Sequence, residues 1–245
     1  MQGLDPGVCF ARLLVSIEDQ RAAEPMSYLI IFRGLAFLGV LIALLFGSAG
    51  RWDLPFFWAY IGVNVVLGLI GSVTVDPGLQ QERWHPAARN REFWLMAFVG
   101  GPLYLGHFVV AGLDAGRFHW SDGIGVTTQI AATAVFATGW SLVTWAVIVN
   151  RFFSPVVRIQ EERGHRLVTS GPYRFVRHPG YIGAIVGFLS GPLLLGSWWA
   201  LVPAGVLCVG ILMRTIAEDR FLHAECAGYA EYAARVRYRL IPGFW

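Results

Sequence analysis

Residues 167–181 read Leu-Val-Thr-Ser-Gly-Pro-Tyr-Arg-Phe-Val-Arg-His-Pro-Gly-Tyr, inside a chain that is otherwise mostly apolar. Two arginines, a histidine, two prolines and two tyrosines in so short a run do not suit a lipid-facing helix. Gly171-Pro172 forces a turn, and His178-Pro179 interrupts any helix just before the next apolar segment. Irregular backbone at membrane depth persists only where its amides and carbonyls find partners in protein or around a polar ligand. A lone histidine reads as a helix cap, but His178 is fenced by Arg177, Pro179 and Tyr181, and this clustering of perturbable groups points to a ligand role. Arg174 and Arg177 read as anchors to lipid phosphates, outside the site. Further on, Arg214 and Glu218 share one helix face by their i, i+4 spacing. At a surface such a pair contributes little. Placed where an apolar helix leaves a bilayer, ionisable residues are functional candidates, and a fixed arginine can clamp a carboxylate by two hydrogen bonds.

The elements that must position these groups are helices in lipid. Of 245 residues, 56% are hydrophobic and 14% charged, against about 25% charged in a soluble domain. Apolar segments at 28–47, 56–75, 93–113 and 126–149 each approach the roughly 20 residues that a hydrocarbon core of about 30 Å requires. Two shorter ones, 181–195 and 198–213, are separated by Gly196-Ser197 and read as a tight helical hairpin, with kinks expected at Pro192 and Pro203. The expectation is an all-α polytopic membrane protein of about six transmembrane helices. It comprises an N-terminal tail or interfacial segment (1–27), a four-helix transmembrane region (28–149) and a cofactor-binding region (150–245). Residues 10–17 could form a short interfacial helix, and the stretch before Met26 reads as a dispensable tail or an upstream mis-start. Ser154-Pro155 can open a short helix that Gly164 ends. The spacing of Leu222, Tyr229, Tyr232 and Val236 predicts an amphipathic helix in the tail from 221 to 245, packing over the site or lying on the membrane surface. Asn64, His107, Gln129 and Asn150 read as interhelical hydrogen-bonding groups; Arg33 snorkels or pairs.

Every basic residue apart from histidine is an arginine, 19 in all, a usage that genomic base composition explains by itself. The net charge of +3 suits anionic lipid heads and is too weak to argue for nucleic acid. Six crossings put both termini and the 150–180 loop on one side, together with sixteen arginines from Arg12 to Arg239. The other side receives Arg51 and Arg117. The positive-inside rule makes the arginine-rich side cytoplasmic. Cys9, Cys208 and Cys226 form no CxxC, so neither a disulfide framework nor a metal site is indicated.

The combination Leu167-Val168-Thr169-Ser170-Gly171-x-Tyr173, Arg177-His178-Pro179-x-Tyr181-x-Gly183, Arg214 with Glu218, and Tyr229-x-x-Tyr232-x-x-x-Val236 resembles the isoprenylcysteine carboxyl methyltransferase family, which is related to membrane phospholipid methyltransferases. The resemblance covers about residues 150–245. It implies an S-adenosyl-L-methionine-dependent methyltransferase with a cytosolic cofactor pocket between the last helices and the connecting loop. By matching position, the cofactor contacts would be Gln160, His165, Arg166, Leu167, Val168, Tyr173, His178, Pro179, Gly180, Tyr181 and Glu218. Arg214 would orient the substrate, a lipophilic small molecule or lipidated protein drawn from the membrane. Two departures stand out: the acidic run is thinned to Glu218-Asp219, and Cys226-Ala227-Gly228 replaces the usual Phe-Gly before the tyrosines.

A sulfonium methyl is already electrophilic, so alignment of two reactants is the main task. An ionised carboxylate acceptor needs no general base, whereas an amine or hydroxyl would, with Glu218 or a tyrosine as first suspect. Two other classes remain open: a membrane NADPH-dependent sterol-type reductase, with a similar His-Pro-x-Tyr region, and a non-enzymatic lipid-binding protein.

Overall fold

The computed structural model describes residues 32–245 apart from 85, 87 and 88, and the side chains of Trp84 and Glu92. The tail and the interfacial segment expected before residue 28 lie outside the described residues. Two compact units are present, Met1–Val40 and Leu41–Trp245. Of the first, residues 32–40 are described, all helical, with Phe32, Leu35, Phe37 and Val40 exposed.

The regular secondary structure of the described residues is all helical, with no strand. We number the helices α1 (Phe32–Ala49), α2 (Pro55–Thr74), α3 (Pro77–Trp84), α4 (91–118), α5 (Val126–Val149), α6 (Pro179–Leu194), α7 (Leu201–Glu225) and α8 (Tyr229–Arg235). Within α4 the backbone alternates: α-helical over Arg91–Leu95 and Gly101–Gly112, π-helical over Met96–Gly100 and Leu113–Phe118. Helices α1, α2, α4, α5 and α7 are long and apolar enough to cross a membrane; α6, at 16 residues, is shorter. Apolar side chains project outward along them, among them Val73, Phe98, Val126, Ile130, Val202 and Met213, which is where lipid takes the place of a protein core.

Helices α5 and α6 carry the cleft and approach closely. A Cβ on Gly183 would lie 2.4 Å from the Gly139 carbonyl oxygen, and one on Gly187 2.5 Å from the Trp140 indole nitrogen. Small residues are what lets two backbones meet in lipid, where no hydrophobic drive exists between helices. Gln129 on α5 adds an N–H donated to the Leu194 carbonyl of α6 at 3.1 Å. By contrast Asn64 and His107 bond within their own helices, to the Tyr60 and Tyr104 carbonyls, rather than between helices. The expected hairpin forms, with Gly196 at φ +77° in the turn between α6 and α7.

Helix α7 continues past the apolar segment through Arg214 and Glu218, which share one helix as their spacing indicated; it runs 25 residues, and the chain turns at Cys226-Ala227-Gly228. Other expectations are corrected. Pro203 falls in the first turn of α7, where its missing N–H would have had no partner anyway, so it imposes no kink. Ser154 opens no helix; its hydroxyl oxygen accepts the Val156 N–H instead, and only one 3-10 turn, Glu161–Arg163, forms before Gly164 at φ +63°. The tail is not one amphipathic helix: α8 is seven residues long and residues 236–245 are non-helical. Helix α3 was not anticipated, although Asp76-Pro77 carries its start signal. Asp76 Oδ1 accepts the Leu79 N–H at 2.9 Å, and Pro77 opens the helix.

Helix α3 holds the long loop before α6. Asp76 meets Arg163 at 3.1 Å and Arg151 at 3.7 Å, while Glu82 meets Arg158 at 3.1 Å. Isolated surface pairs contribute little, but Glu82 is buried and Arg158 and Arg163 are nearly so, and together they fix where residues 151–165 run.

Candidate functional site

The loop after α5, the first turn of α6, the last three turns of α7 and helix α8 border a solvent-open cleft. Phe152 to Arg158 form one wall and His165 to Val168 another; Tyr173, Arg177, His178 and Tyr181 line its depth. Glu218, Leu222 and Cys226 face it from α7, one helical turn apart, and Tyr229 and Tyr232 close it from α8.

Adjacent positions on α7 do different things here, because each helical step rotates the side chain by about 100°. Asp219 turns inward and is 1% exposed. Its Oδ1 accepts hydrogen bonds from Arg177 Nε (2.8 Å) and the Tyr229 hydroxyl (2.8 Å), with His178 Nε2 at 3.4 Å. Its Oδ2 accepts from Arg239 Nε (2.8 Å) and Arg177 Nη2 (3.3 Å). Arg177 in turn donates Nη1 to the Val236 and Arg237 carbonyls, both at 2.9 Å. The backbone N–H groups of Arg177 and His178 donate to the Tyr238 and Arg239 carbonyls at 3.0 Å. One carboxylate thus ties the His-Pro segment, α7, α8 and the irregular C-terminal segment together.

Glu218 turns toward the cleft. It accepts a short hydrogen bond from the Tyr181 hydroxyl, and His178 Nδ1 lies 4.0 Å from its Oε1. Tyr181 accepts from Arg214 Nε at 2.6 Å, so Arg214, Tyr181 and Glu218 form a chain from the helix interior to the cleft. Arg214 also directs Nη1 at the Met96 thioether (2.8 Å) and Nη2 at the Ser154 carbonyl (3.5 Å). The His178 ring lies nearly parallel to Tyr181, 13° between planes, and the residue stands at the N-terminus of α6, with Pro179 in the first helical position.

The tyrosines of α8 face buried partners. Burial raises Tyr173, Tyr229 and Tyr232 above the ordinary phenol value, Tyr232 to about 12. All three are therefore neutral donors at physiological pH: Tyr232 donates to the Tyr173 carbonyl at 2.7 Å and Tyr173 to the Ala146 carbonyl at 3.4 Å. At the mouth, the His165 ring stacks on Phe152 (4.6 Å, 23°), and its Nδ1 accepts the Gln160 N–H at 3.3 Å. Arg166 beside it is exposed.

Of the residues named from sequence, His165, Arg166, Leu167, Val168, Tyr173, His178, Tyr181 and Glu218 border the cleft. Three do not. Gln160 is wholly buried, donating to the Phe152 carbonyl (2.8 Å) and accepting from Arg163 (2.5 Å), so both ends of its amide are used inside the loop. Pro179 and Gly180 are buried in the first turn of α6; a Cβ on Gly180 would meet Phe153 at 2.7 Å. Arg214 stands behind Tyr181 rather than in the lining. Arg177, set aside as a lipid anchor, is buried in the cleft wall against Asp219. Asp219 itself had no signal in sequence beyond its place after Glu218.

A family model for phospholipid methyltransferases matches residues 127–225, from α5 to the end of α7. A probable protein-S-isoprenylcysteine O-methyltransferase from Oryza sativa is 32% identical over 92 residues, covering 37% of this chain and 48% of that protein. The cobalt-zinc-cadmium resistance protein CzcN of Cupriavidus metallidurans is 33% identical over 157 residues, covering 62% of this chain and 68% of that one. The chain belongs to the isoprenylcysteine carboxyl methyltransferase family and its membrane phospholipid methyltransferase relatives. It spans about half the length of the isoprenylcysteine methyltransferases it matches from rice, 48% of each. A solved structure of the eukaryotic intramembrane Ras methyltransferase of this family aligns over 98% of this chain and 87% of its own, with 17% identity and a TM-score of 0.48. The stretch matched by the family model contains Asp219 as well as Arg214 and Glu218, whereas Tyr229 and Tyr232 lie beyond it.

Proposed function

We propose that this protein is an integral-membrane, S-adenosyl-L-methionine-dependent methyltransferase that modifies a lipophilic acceptor, with an isoprenylcysteine-like carboxylate as the acceptor best suited to its site. The observation that carries this reading is the chain Arg214–Tyr181–Glu218, which joins a guanidinium on an apolar helix to a carboxylate in a solvent-open cleft.

The residues present suit the cofactor. Glu218 offers a carboxylate at the cleft surface for ribose hydroxyls or an ammonium. Arg158 and Arg166 suit a carboxylate near the mouth, and Phe153, Val156, Leu167, Val168 and Leu222 supply apolar walls for a base. Bound there, S-adenosyl-L-methionine supplies an electrophilic sulfonium methyl. Gln160, Pro179 and Gly180 shape the cleft from behind, and Asp219 holds His178 and Arg177 in position. Arg214 orients the acceptor: its contact to the Met96 thioether is to a weak acceptor, which an ionised carboxylate outcompetes through a charge-assisted pair. Such an acceptor needs no general base, and orientation alone can supply much of the rate. The helix carrying Arg214 has exposed apolar neighbours, Val209, Leu212 and Met213, which suits entry of a lipidic chain sideways from the bilayer. The arginine bias of the sequence supports a cytosolic cleft and cytosolic termini.

Calorimetric titration of S-adenosylhomocysteine into detergent-purified protein tests this, with NADPH as the rival ligand. Micromolar binding of the first, weakened about tenfold or more by Glu218→Gln and by His178→Ala, is the expected outcome. A heat of binding for NADPH alone sinks the methyltransferase reading.

A further inference from the structure

The opposite end of the helix bundle holds a second cavity, about 36 Å away by the 24-residue length of α5. It is a solvent-open cavity of about 280 Å³ between the start of α2, the end of α4, the loop before α5 and the α6–α7 turn. Its polar lining includes Asp114, Ser121, Asp122 and Gln129; two carboxylates and no arginine or histidine face it. Asp114 is 0% exposed. Its Oδ2 accepts the hydroxyls of Ser121 and Ser197, both at 2.5 Å, while its Oδ1 is buried without a hydrogen-bond partner. The two serines are themselves oriented, by the Trp198 and Ala200 N–H groups at 2.9 and 3.1 Å. Asp114 also lies in the π-helical stretch Leu113–Phe118, a distortion often kept at functional positions.

Burying a carboxylate with half its acceptor capacity unused is costly. Ser121 and Ser197 occupy one oxygen and leave the other, just beneath the cavity surface that Asp114 helps to line, with its acceptor capacity unused. A calcium ion would want six to eight oxygens, and the described residues hold no group of three or more His, Cys, Asp or Glu suited to a metal. An ammonium needs fewer partners and brings N–H donors to an acceptor that lacks them. The remaining walls are apolar, with Leu54, Phe56, Phe57, Ile124 and Val126 among them. Around this end Trp52, Trp58, Phe118, Trp120, Trp198 and Trp199 are exposed, the placement of an interfacial aromatic belt at headgroup depth. We propose that this cavity binds the primary ammonium group of an amphiphilic ligand, with Asp114 as its hydrogen-bonding counter-ion. An ethanolamine lipid headgroup and a free alkylamine both carry this group, and the site chemistry is the same for either. This site stands independently of the activity at the other end.

The test uses the full chain in detergent, titrated with hexylammonium and with hexyltrimethylammonium, which has equal charge and tail but no N–H. Thermal stabilisation should give a Kd for hexylammonium at least tenfold below that for the trimethyl compound. Asp114→Asn should erase that preference while circular dichroism and the ligand-free Tm stay close to those of the parent. Ile124→Trp, which fills the cavity from its wall and leaves Asp114 intact, should also abolish binding, so a folding failure of one variant leaves the other decisive. Equal affinities for the two cations, or hexylammonium binding unchanged in either folded variant, would overturn the proposal. Native mass spectrometry from ethanolamine-containing nanodiscs separates the two sources. Lipid retained by the parent and lost from Asp114→Asn assigns the headgroup, and hexylammonium binding without lipid retention assigns a free amine.

Discussion

Two buried aspartates sit at opposite ends of this bundle, and their surroundings differ in kind. Asp219 accepts hydrogen bonds from Arg177, Arg239 and Tyr229, with His178 in reach, so both of its oxygens are engaged. Asp114 has two donors, both on one oxygen. A saturated buried carboxylate organises the protein around it; an unsaturated one keeps capacity for something else. The same contrast explains why Glu218, one residue before Asp219, reads as a ligand group. It is only partly buried and it faces the cleft, with Arg214 Nε 3.8 Å from its Oε2.

The sharpest way to break this comparison is Asp219→Ala. It strands Arg177 without its partner inside the protein, and loss of one member of a buried pair costs about 3–5 kcal/mol. The expected result is a large fall in Tm together with loss of S-adenosylhomocysteine binding; a near-native Tm would show that the network is not cohesive. Arg214→Ala should act on rate rather than on the fold of the cleft. Loss of one oriented donor at a developing charge costs about 10²–10³-fold in kcat, while S-adenosylhomocysteine affinity should change little. Methyl-transfer assays with a prenylcysteine analogue beside calorimetry separate the two effects. At the other end, Asp114→Asn keeps an oxygen for the two serines and removes the unpaired one, so its unfolding free energy should stay within about 1 kcal/mol of the parent. A loss comparable to that of Asp219→Ala would make the two aspartates equivalent and erase the contrast.

The smallest effect concerns pH. Burial, with the charges of Arg158 and Arg163, holds His165 below the ordinary imidazole value. Its Nδ1 must be unprotonated to accept the Gln160 N–H. Between the depressed folded value and the ordinary value near 6.5 the unfolded chain binds more protons. Stability contributed by this group is therefore present above about pH 6.5 and is lost as the pH falls through that window. Tm profiles from pH 7.5 to 5.5 should be shallower in His165→Gln than in the parent.

Much of the cleft was legible because it is local. His165 to Val168, Tyr173, His178 and Tyr181 fall within seventeen residues, and their turn residues announce irregular chain at membrane depth. The pairing of Arg214 with Glu218 followed from helical spacing. Arg177 was misread because its partner is 42 positions away, and nothing near it in the chain distinguishes a buried arginine from one anchored to lipid. Asp114 gave no signal either, since Ser197 reaches it across 83 positions.

By composition and periodicity alone, this chain was committed to helices in lipid. Its Gly and Pro positions marked the hairpin turn and the start of α6, because those residues restrict or release the backbone locally. The length of α7, the split of the tail at Cys226-Ala227-Gly228 and the inward or outward facing of Glu218 and Asp219 were decided by tertiary structure. In each of these cases a helix continues, or a side chain turns, according to partners that distant segments deliver, and such partners leave no local trace in the order of residues.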